Sequence, residues 1–259
     1  MDSVNKTLYI PLYGKALVSK KGVILNDKKA EEIWGKEKFK LKGKSKSKWL
    51  AYYLGMRSAV FDSWLTNKLK EHPNSLVLHL GCGMDSRALR VQCDAVWCDI
   101  DLNSVIEERR KYFSETNNYR MLSADIGNAD FITELPQAES VVVILEGVSM
   151  YIPNENLIRT LNKLCEKYSN LSVLIDCYTP FAVKMSKIKN PINEMGKIKV
   201  YGVENHNVLE NGELKFVSER EMTPIGLINQ LKGFEKFIFK NLYAGKVAKK
   251  LYKLYEYEK

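Results

Sequence analysis

From Ser47 to Leu69 the apolar side chains Leu50, Tyr53, Leu54, Ala59, Phe61, Trp64, Leu65 and Leu69 recur at the spacing of one helical face. His72-Pro73-Asn74 ends that helix. Before it, residues 1–46 read as short helical pieces and loops, with Asp27 placed to cap a helix running to about Trp34. Beyond it the pattern changes. Strand-like runs at Ser75–Leu80, Ala95–Ile100, Tyr119–Leu122, Ser140–Leu145 and Leu171–Cys177 alternate with helix-like runs at Asp85–Gln92, Leu102–Glu115, Ala129–Glu134 and Glu155–Tyr168. That alternation predicts an α/β fold, a doubly wound and mostly parallel sheet with helices on both faces. Val141-Val142-Val143-Ile144-Leu145 is an unbroken apolar run, as a central strand buried on both sides requires. Right-handed crossovers then bring the strand C-termini to one edge, where ligands bind.

After Thr179-Pro180 the pattern loosens, and residues 180–212, rich in Lys, Asn and Gly, read as an insertion. Order returns with a strand at Leu214–Val217, a helix at Thr223–Leu231, a strand at Phe234–Phe239 and a terminal helix over Ala244–Tyr257. The last rests on Val247, Leu251 and Leu254 sharing a face. The prediction is thus a seven-stranded sheet in residues 71–259, preceded by a helical region in residues 1–70.

Composition narrows the class. Hydrophobic residues make up 45% and charged residues 27%, which excludes a disordered, collagen-like or disulfide-scaffold chain. No stretch approaches the ~20 apolar residues of a membrane span, so no membrane partner is expected. The start, Met1 to Lys6, lacks the apolar core of a secretory signal. Five cysteines, none in a Cys-x-x-Cys pair, suit buried reduced thiols in a cytoplasmic protein. The three histidines, His72, His79 and His206, are not at metal-ligand spacing, so no metal is expected.

The net charge of +9 is uneven. Residues 1–70 carry 16 Lys/Arg against 6 Asp/Glu, whereas the rest carry 24 against 25. Lysines alternate with other residues from Lys36 to Lys48. This is a solvated loop or a means of attracting an anionic substrate. Nucleic acid is a poor partner, because only Phe39 is interleaved as a stacking aromatic.

The sharpest chemical feature is Leu78-His79-Leu80-Gly81-Cys82-Gly83-Met84-Asp85-Ser86-Arg87, a strand, a Gly-x-Gly turn and a helix start. Gly81 and Gly83 admit a ligand close to the backbone. Ser86 stands where a dinucleotide fingerprint places its third Gly, and Asp85 would repel a pyrophosphate. Asp99 and Asp101 close the second strand, at a distance from the turn that suits ribose hydroxyls. Asp125 ends the third strand, where it could accept from an adenine amino group while Ile126 covers the ring. Glu146-Gly147 ends the fourth, and an acid after five apolar residues needs a partner. Acids at successive strand ends with no phosphate-binding lysine describe a pocket for a cationic adenosine compound, S-adenosylmethionine being the obvious one.

These residues form a pattern. Gly81-x-Gly83-x-Asp85-Ser86-Arg87 resembles the Gly-x-Gly-x-Asp-(Thr/Ser)-Arg signature of the leucine carboxyl methyltransferase family. That family includes protein phosphatase methyltransferases and tetracenomycin-type polyketide O-methyltransferases, and the shorter, polyketide branch is nearer. Asp27-x-x-Ala30 is similar to its Asp-Pro-x-Ala element, with Lys28 in place of Pro. Arg57 with Asp62 resembles its Arg-x-x-x-x-Asp helix. Asp99-Ile100-Asp101-Leu102, Ala124-Asp125-Ile126 and Glu146-Gly147-Val148-Ser149-Met150-Tyr151-Ile152 resemble its Glu-Val-Asp-Leu, Ala-Asp-Leu and Glu-Gly-Leu-x-Met-Tyr-Leu motifs. Asn103 departs from the usual Pro.

The resemblance implies a class I methyltransferase, Rossmann-like, with the N-terminal helices folded over the cofactor as a lid. It implies that Arg57 clamps the methionine carboxylate and that Gly81 and Gly83 line the methionine and ribose. It further implies Asp101 on the ribose, Asp125 and Ile126 on adenine, and Glu146 with Gly147 near the sulfonium and amino group. The expected activity is S-adenosylmethionine-dependent O-methylation of a small-molecule acceptor. No convincing general base is visible, which favours a carboxylate, already ionised at neutral pH, over a phenol. Tyr151, Tyr178, Tyr201 and His206 are the candidate acceptor contacts, whereas His79, inside a strand, reads as structural. A non-catalytic S-adenosylmethionine-binding scaffold or sensor is the alternative, and an NAD-dependent oxidoreductase fits less well.

Overall fold

The computed structural model describes residues 7–37, 41, 43–91, 93–186 and 199–259. Seven strands form one sheet: β1 (Leu76–Leu80), β2 (Val96–Asp101), β3 (Tyr119–Ser123), β4 (Ser140–Leu145), β5 (Asn170–Tyr178), β6 (Lys215–Arg220) and β7 (Tyr252–Glu258). Their order across the sheet is β3-β2-β1-β4-β5-β7-β6. Strands β1 to β5 pair in parallel, and β7 lies antiparallel between β5 and β6. The order reverses beside β1, so Gly81 after β1, Asp101 ending β2 and Glu146 after β4 meet at one edge. β1 is buried along its whole length and β4 along all but Ser140, as their apolar runs require.

Helices cover both faces. α1 (Tyr9–Lys20), α2 (Lys28–Lys36) and α3 (Lys48–Glu71) precede the sheet. α4 (Arg87–Arg90), α5 (Asn103–Arg109) and α6 (Asn154–Lys167) lie between its strands, with a 3-10 turn at Ala129–Glu134. Asp27 caps α2 as its sequence position predicts, its Oδ1 accepting from the Ala30 amide at 2.8 Å. α3 serves two places. Phe61, Trp64, Leu65 and Leu69 pack with Val77, Trp97, Val142 and Leu174 on one sheet face. Its first half packs with α1, and α1 in turn rests on Cys82, Met84, Ile106 and Phe113 beside the Gly-x-Gly turn.

The C-terminal third corrects two expectations. Phe234–Phe239 is no strand: after α7 (Pro180–Ser186) and a short α8 (Ile225–Ile228), α9 (Gly233–Ile238) runs there and continues as a π-helical turn over Phe239–Tyr243. Ala244–Tyr257 is no helix: a 3-10 turn at Ala248–Lys250 leads into strand β7. The helical spacing of Val247, Leu251 and Leu254 is coincidental. Tyr255 and Tyr257 enter the core on one face of the sheet while Leu254 enters the other, the alternation of a strand. Open hydrogen-bonding edges on β5 and β6 decide the matter, because β7 satisfies both.

Candidate active site

The Gly-x-Gly turn is held from behind by a buried charged knot. Gly81 adopts φ +70°, and a Cβ there would collide with Val148. Asp101 reaches across from β2, its Oδ2 accepting from the Gly83 amide and its Oδ1 from Leu102, each at 2.8 Å. Burial raises the Asp101 carboxyl above its ordinary value. Its neighbour Asp99 points elsewhere. It accepts from Tyr119 at 2.6 Å and Trp97 at 2.8 Å, and it pairs with His79 and Arg109. Burial pushes the Asp99 carboxyl up, but Arg109 outweighs it and holds the pKa down to about 2. Arg109 also donates to the carbonyls of Gly83 at 2.7 Å and Asp85 at 2.8 Å, fixing the turn. Of the two acids, Asp101 therefore serves the edge and Asp99 braces it.

Further in, five carboxylates and four cations interlock. Asp85 pairs with Lys15 at 3.0 Å, Arg90 at 2.7 Å and Arg87 at 3.3 Å. Asp62 takes both Arg87 and Arg90 at 2.6 Å. Asp27 accepts from Arg90 at 2.8 Å and from the Ser86 hydroxyl. Glu146 pairs with Arg87 and accepts from Arg57 Nε at 3.1 Å and Ser58 at 2.8 Å. Arg57 spends its Nη1 on Asp176 at 2.9 Å. Burial would raise the Glu146 carboxyl, yet Arg87 and Arg57 hold it at about 2. Asp176 is raised by burial, against the pull of Arg57. Its Oδ1 accepts from the Gly147 amide at 2.6 Å. Gly147 adopts φ +72°, and a Cβ on it would stand 2.8 Å from Arg57 Nη2, so only glycine lets the loop lie against that guanidinium.

Two cavities meet at this point. A small one of about 120 Å³ follows the Gly-x-Gly turn and is bounded by Gly81, Gly83, Asp101 and Glu146, with Leu8, Leu12 and Lys15 closing it from the N-terminal side. A large one of about 600 Å³ lies beyond. Thr7, Pro11, Arg57, Gly147 and Tyr151 border both. The large chamber is walled by Leu50, Leu54, Met150, Tyr53, Tyr178 and Tyr252, among others. Its charged wall residues, among those described, are Lys44 and Arg57, and no carboxylate or imidazole lines it. Tyr178 and Tyr252 join hydroxyls at 3.0 Å, and burial holds the phenols of Tyr53, Tyr151 and Tyr252 above their ordinary value.

A family model described as leucine carboxyl methyltransferase matches residues 3–165, more than half of the chain. The chain belongs to that family. It is an S-adenosylmethionine-dependent O-methyltransferase. It is similar to the tetracenomycin polyketide synthesis O-methyltransferase TcmP of Streptomyces glaucescens, at 26% identity over 92% of this chain and 90% of the relative. Solved structures share the fold. A protein of Thermobifida fusca YX superposes with a TM-score of 0.57 at 13% identity, covering 81% of this chain and 82% of its own. The magnesium protoporphyrin IX methyltransferase of Synechocystis PCC 6803, solved with bound SAH, gives 0.51 at 12% identity, covering 90% and 93%. The Rossmann-like, mostly parallel seven-stranded sheet expected from the sequence is thus the methyltransferase's fold.

The residues singled out in the sequence divide. Arg57, Gly81, Gly83, Asp101, Glu146 and Gly147 converge on the small cavity, and Tyr151 and Tyr178 line the chamber. Asp125 and Ile126 lie apart from both cavities. Asp125 is exposed and accepts from the Gly127 amide at 2.8 Å, and Ile126 is buried in the main core. Tyr201 does not line the chamber; its amide donates to the Met150 carbonyl at 2.8 Å. His206 is not at the pocket either. Its ring stacks on Phe216 at 3.9 Å beside Tyr255, because residues 199–209 run back over the β6 side of the sheet. Lys38, Lys40 and Lys42 of the lysine-rich loop lie outside the described residues, as do residues 187–198 of the expected insertion.

Three partners escape a reading of the sequence. Asp176 follows Val173-Leu174-Ile175, the same signal of an acid after an apolar run that marks Glu146. Lys15 is one lysine in a basic segment, and Arg109 is one arginine on a charged helix. Nothing local distinguishes either from a solvated side chain.

Proposed function

We infer that the methyltransferase acts on a small, largely apolar acceptor and transfers the methyl group to its carboxylate. The observation that carries this reading is the wall of the large chamber, apolar and aromatic, with two cations and no acid or imidazole among the described residues. A carboxylate is already ionised and needs no proton removed. A phenol would need a base, and the buried tyrosines, with raised pKa values, are poor ones. Similarity to a polyketide-synthesis enzyme supports an aromatic or polyketide-like acceptor.

The small cavity suits the cofactor's methionine and ribose ends by its donor set. Gly81 and Gly83 leave room against the backbone, Asp101 offers carboxylate oxygens toward ribose hydroxyls, and Arg57, engaged through Nε and Nη1, keeps its Nη2 for a carboxylate. Lys15 is neutralised by Asp85, so it does not favour a phosphate. When bound, S-adenosylmethionine supplies an electrophilic methyl whose bond electrons leave with sulfur. The chain's own task is to hold the acceptor oxygen in line at ~3 Å and to exclude water. Glu146 and Asp176 position Arg57, and Gly147 keeps the passage between the cavities open. Asp125 and Ile126 remain the proposed adenine contacts at the far end of the edge. In this reading the helices of residues 1–70 act as the lid over the sheet domain of residues 71–259, because α1 closes the small cavity.

The test is methyl transfer to paired aromatic carboxylic acids and phenols of matched shape. A methyl ester, cleaved by mild alkali, is the expected product, formed at a rate nearly flat across about pH 6 to 8. An alkali-stable methyl ether from the phenols alone would overturn the carboxylate assignment. Cofactor binding without turnover on any acceptor would instead favour the non-catalytic scaffold.

A further inference from the structure

The stretch from Lys232 to Lys253 carries seven lysines and a single acid, Glu235. α9 and its π-helical continuation run through it. Their inner side is well packed. Phe239 is fully buried, and Tyr243 stacks on Trp49 with ring centroids 5.2 Å apart. Glu235 accepts from Tyr52 at 2.5 Å and from Lys48 at 2.8 Å, so the one acid is engaged inward.

The outer side is unlike it. Phe234 is 73% exposed, Phe237 63%, Leu242 64% and Val247 66%. Large apolar side chains this exposed, gathered within fourteen residues, are costly to leave in water. Lysines stand between them. Lys249 and Lys253 pair with Glu221 and Glu219. Lys232, Lys236, Lys240, Lys246 and Lys250 have no acidic partner among the described residues. Leu242 and Val247 also border the 600 Å³ chamber, joined there by Met185, so at those two side chains the exposed apolar surface meets the chamber wall.

We propose that this face seats on the surface of an anionic lipid bilayer, with Phe234, Phe237, Leu242 and Val247 entering the headgroup–acyl boundary and the lysines meeting the phosphates. A bilayer supplies both complements at once, an apolar layer beneath an anionic one, and a short amphipathic helix with aromatic and lysine side chains is the element that uses them. Two copies of this chain meeting through the same face would bring the lysines together. The expectation of no membrane partner rests on the lack of a spanning stretch. No helix among the described residues is long and apolar enough to cross a membrane, and surface seating requires none. The chamber would then open toward the bilayer, from which an apolar acceptor could enter without crossing water; this last point rests on the proposed acceptor class.

The experiment is cosedimentation of the full chain with vesicles of phosphatidylcholine and phosphatidylglycerol in equal amounts, and with vesicles of phosphatidylcholine alone. Binding to the anionic vesicles is expected to be at least about tenfold tighter and to weaken with salt. The double variant Phe234→Ser/Phe237→Ser should bind about tenfold or more weakly. Lys246→Glu/Lys250→Glu should lose about thirtyfold or more. Neither pair lines the small cavity, so both variants should keep the wild-type affinity for S-adenosylmethionine by calorimetry. That readout separates lost docking from lost fold, and it is independent of the acceptor's identity. Absence of binding to anionic vesicles, or binding that the phenylalanine variant leaves unchanged, overturns the proposal. A dimer in solution that the same variant dissociates would overturn it too, assigning the face to a second copy.

Discussion

The charged knot behind the Gly-x-Gly turn and the chamber beyond Gly147 share Arg57 and little else. In the knot, side chains from α1, α3, α4, β5 and the turns after β1 and β4 meet with almost every charge paired and buried. In the chamber, apolar and aromatic side chains predominate and the described charges are two. The difference separates two tasks. A site for a fixed cofactor can be held by directional, mutually dependent contacts, in which each group restrains the others. A site for an acceptor is defined by shape and by what it lacks, and shape can change residue by residue without unfolding the sheet.

The knot is most sensitive at Arg87. Replacing it in Arg87→Ala would leave Glu146 and Asp62 in the interior with a partner missing, at a cost of roughly 3–5 kcal/mol. Urea denaturation should show that loss; a change below about 1 kcal/mol would mean that water or neighbouring arginines replace it readily.

Acid should act on the knot before the chamber. Arg109 holds the Asp99 carboxyl at about 2, and Arg87 with Arg57 holds that of Glu146 well below its ordinary value, against the usual ~3.9 and ~4.3. A depressed pKa stabilises the fold above the ordinary value, and that stability is lost as pH falls from about 4 toward about 2. Asp99 by itself accounts for on the order of 2 kcal/mol across that window, and Glu146 adds to it in the same direction. Asp101 and Asp176, raised by burial, work in the opposite direction and soften the decline. Unfolding midpoints measured at successively lower pH should fall in that window; a midpoint flat to pH ~2 would contradict the pairing.

Arg57→Lys keeps the charge where the two regions meet and removes the planar fork. S-adenosylmethionine should bind about tenfold more weakly by calorimetry, with a smaller effect on stability than Arg87→Ala. Unchanged affinity would remove Arg57 from the cofactor. In the chamber, Tyr178→Phe gives up one hydroxyl contact with Tyr252, worth about 1 kcal/mol. Turnover on a carboxylate acceptor should change only severalfold, with the same pH profile; a loss of orders of magnitude with a shifted profile would make the tyrosine a base.

Much of this is legible along the chain. The first five strands stand close to their expected bounds, since alternating apolar runs and turn residues are local properties. So are the Gly-x-Gly turn and the acids at the ends of β2 and β4, because the chain itself carries them there. Asp176 can be found by the signal that marks Glu146. Lys15 and Arg109 cannot, since only their destination distinguishes them.

The same distinction accounts for the C-terminal third. Composition and periodicity by themselves determined the class of sheet and the edge at which a ligand binds, and the motifs at that edge determined the family to which the chain belongs. Tertiary structure alone decided that Tyr252–Glu258 is a strand and Gly233–Ile238 a helix. A short run of mixed aromatic and charged residues can take either form, and the unpaired backbone of β5 and β6 chose. Tertiary structure also decided that Asp101 rather than Asp99 faces the turn, and that His206 lies against Phe216 and away from the chamber. Those outcomes depend on which distant side chains arrive as partners, and burial makes a partner obligatory for every charge it encloses.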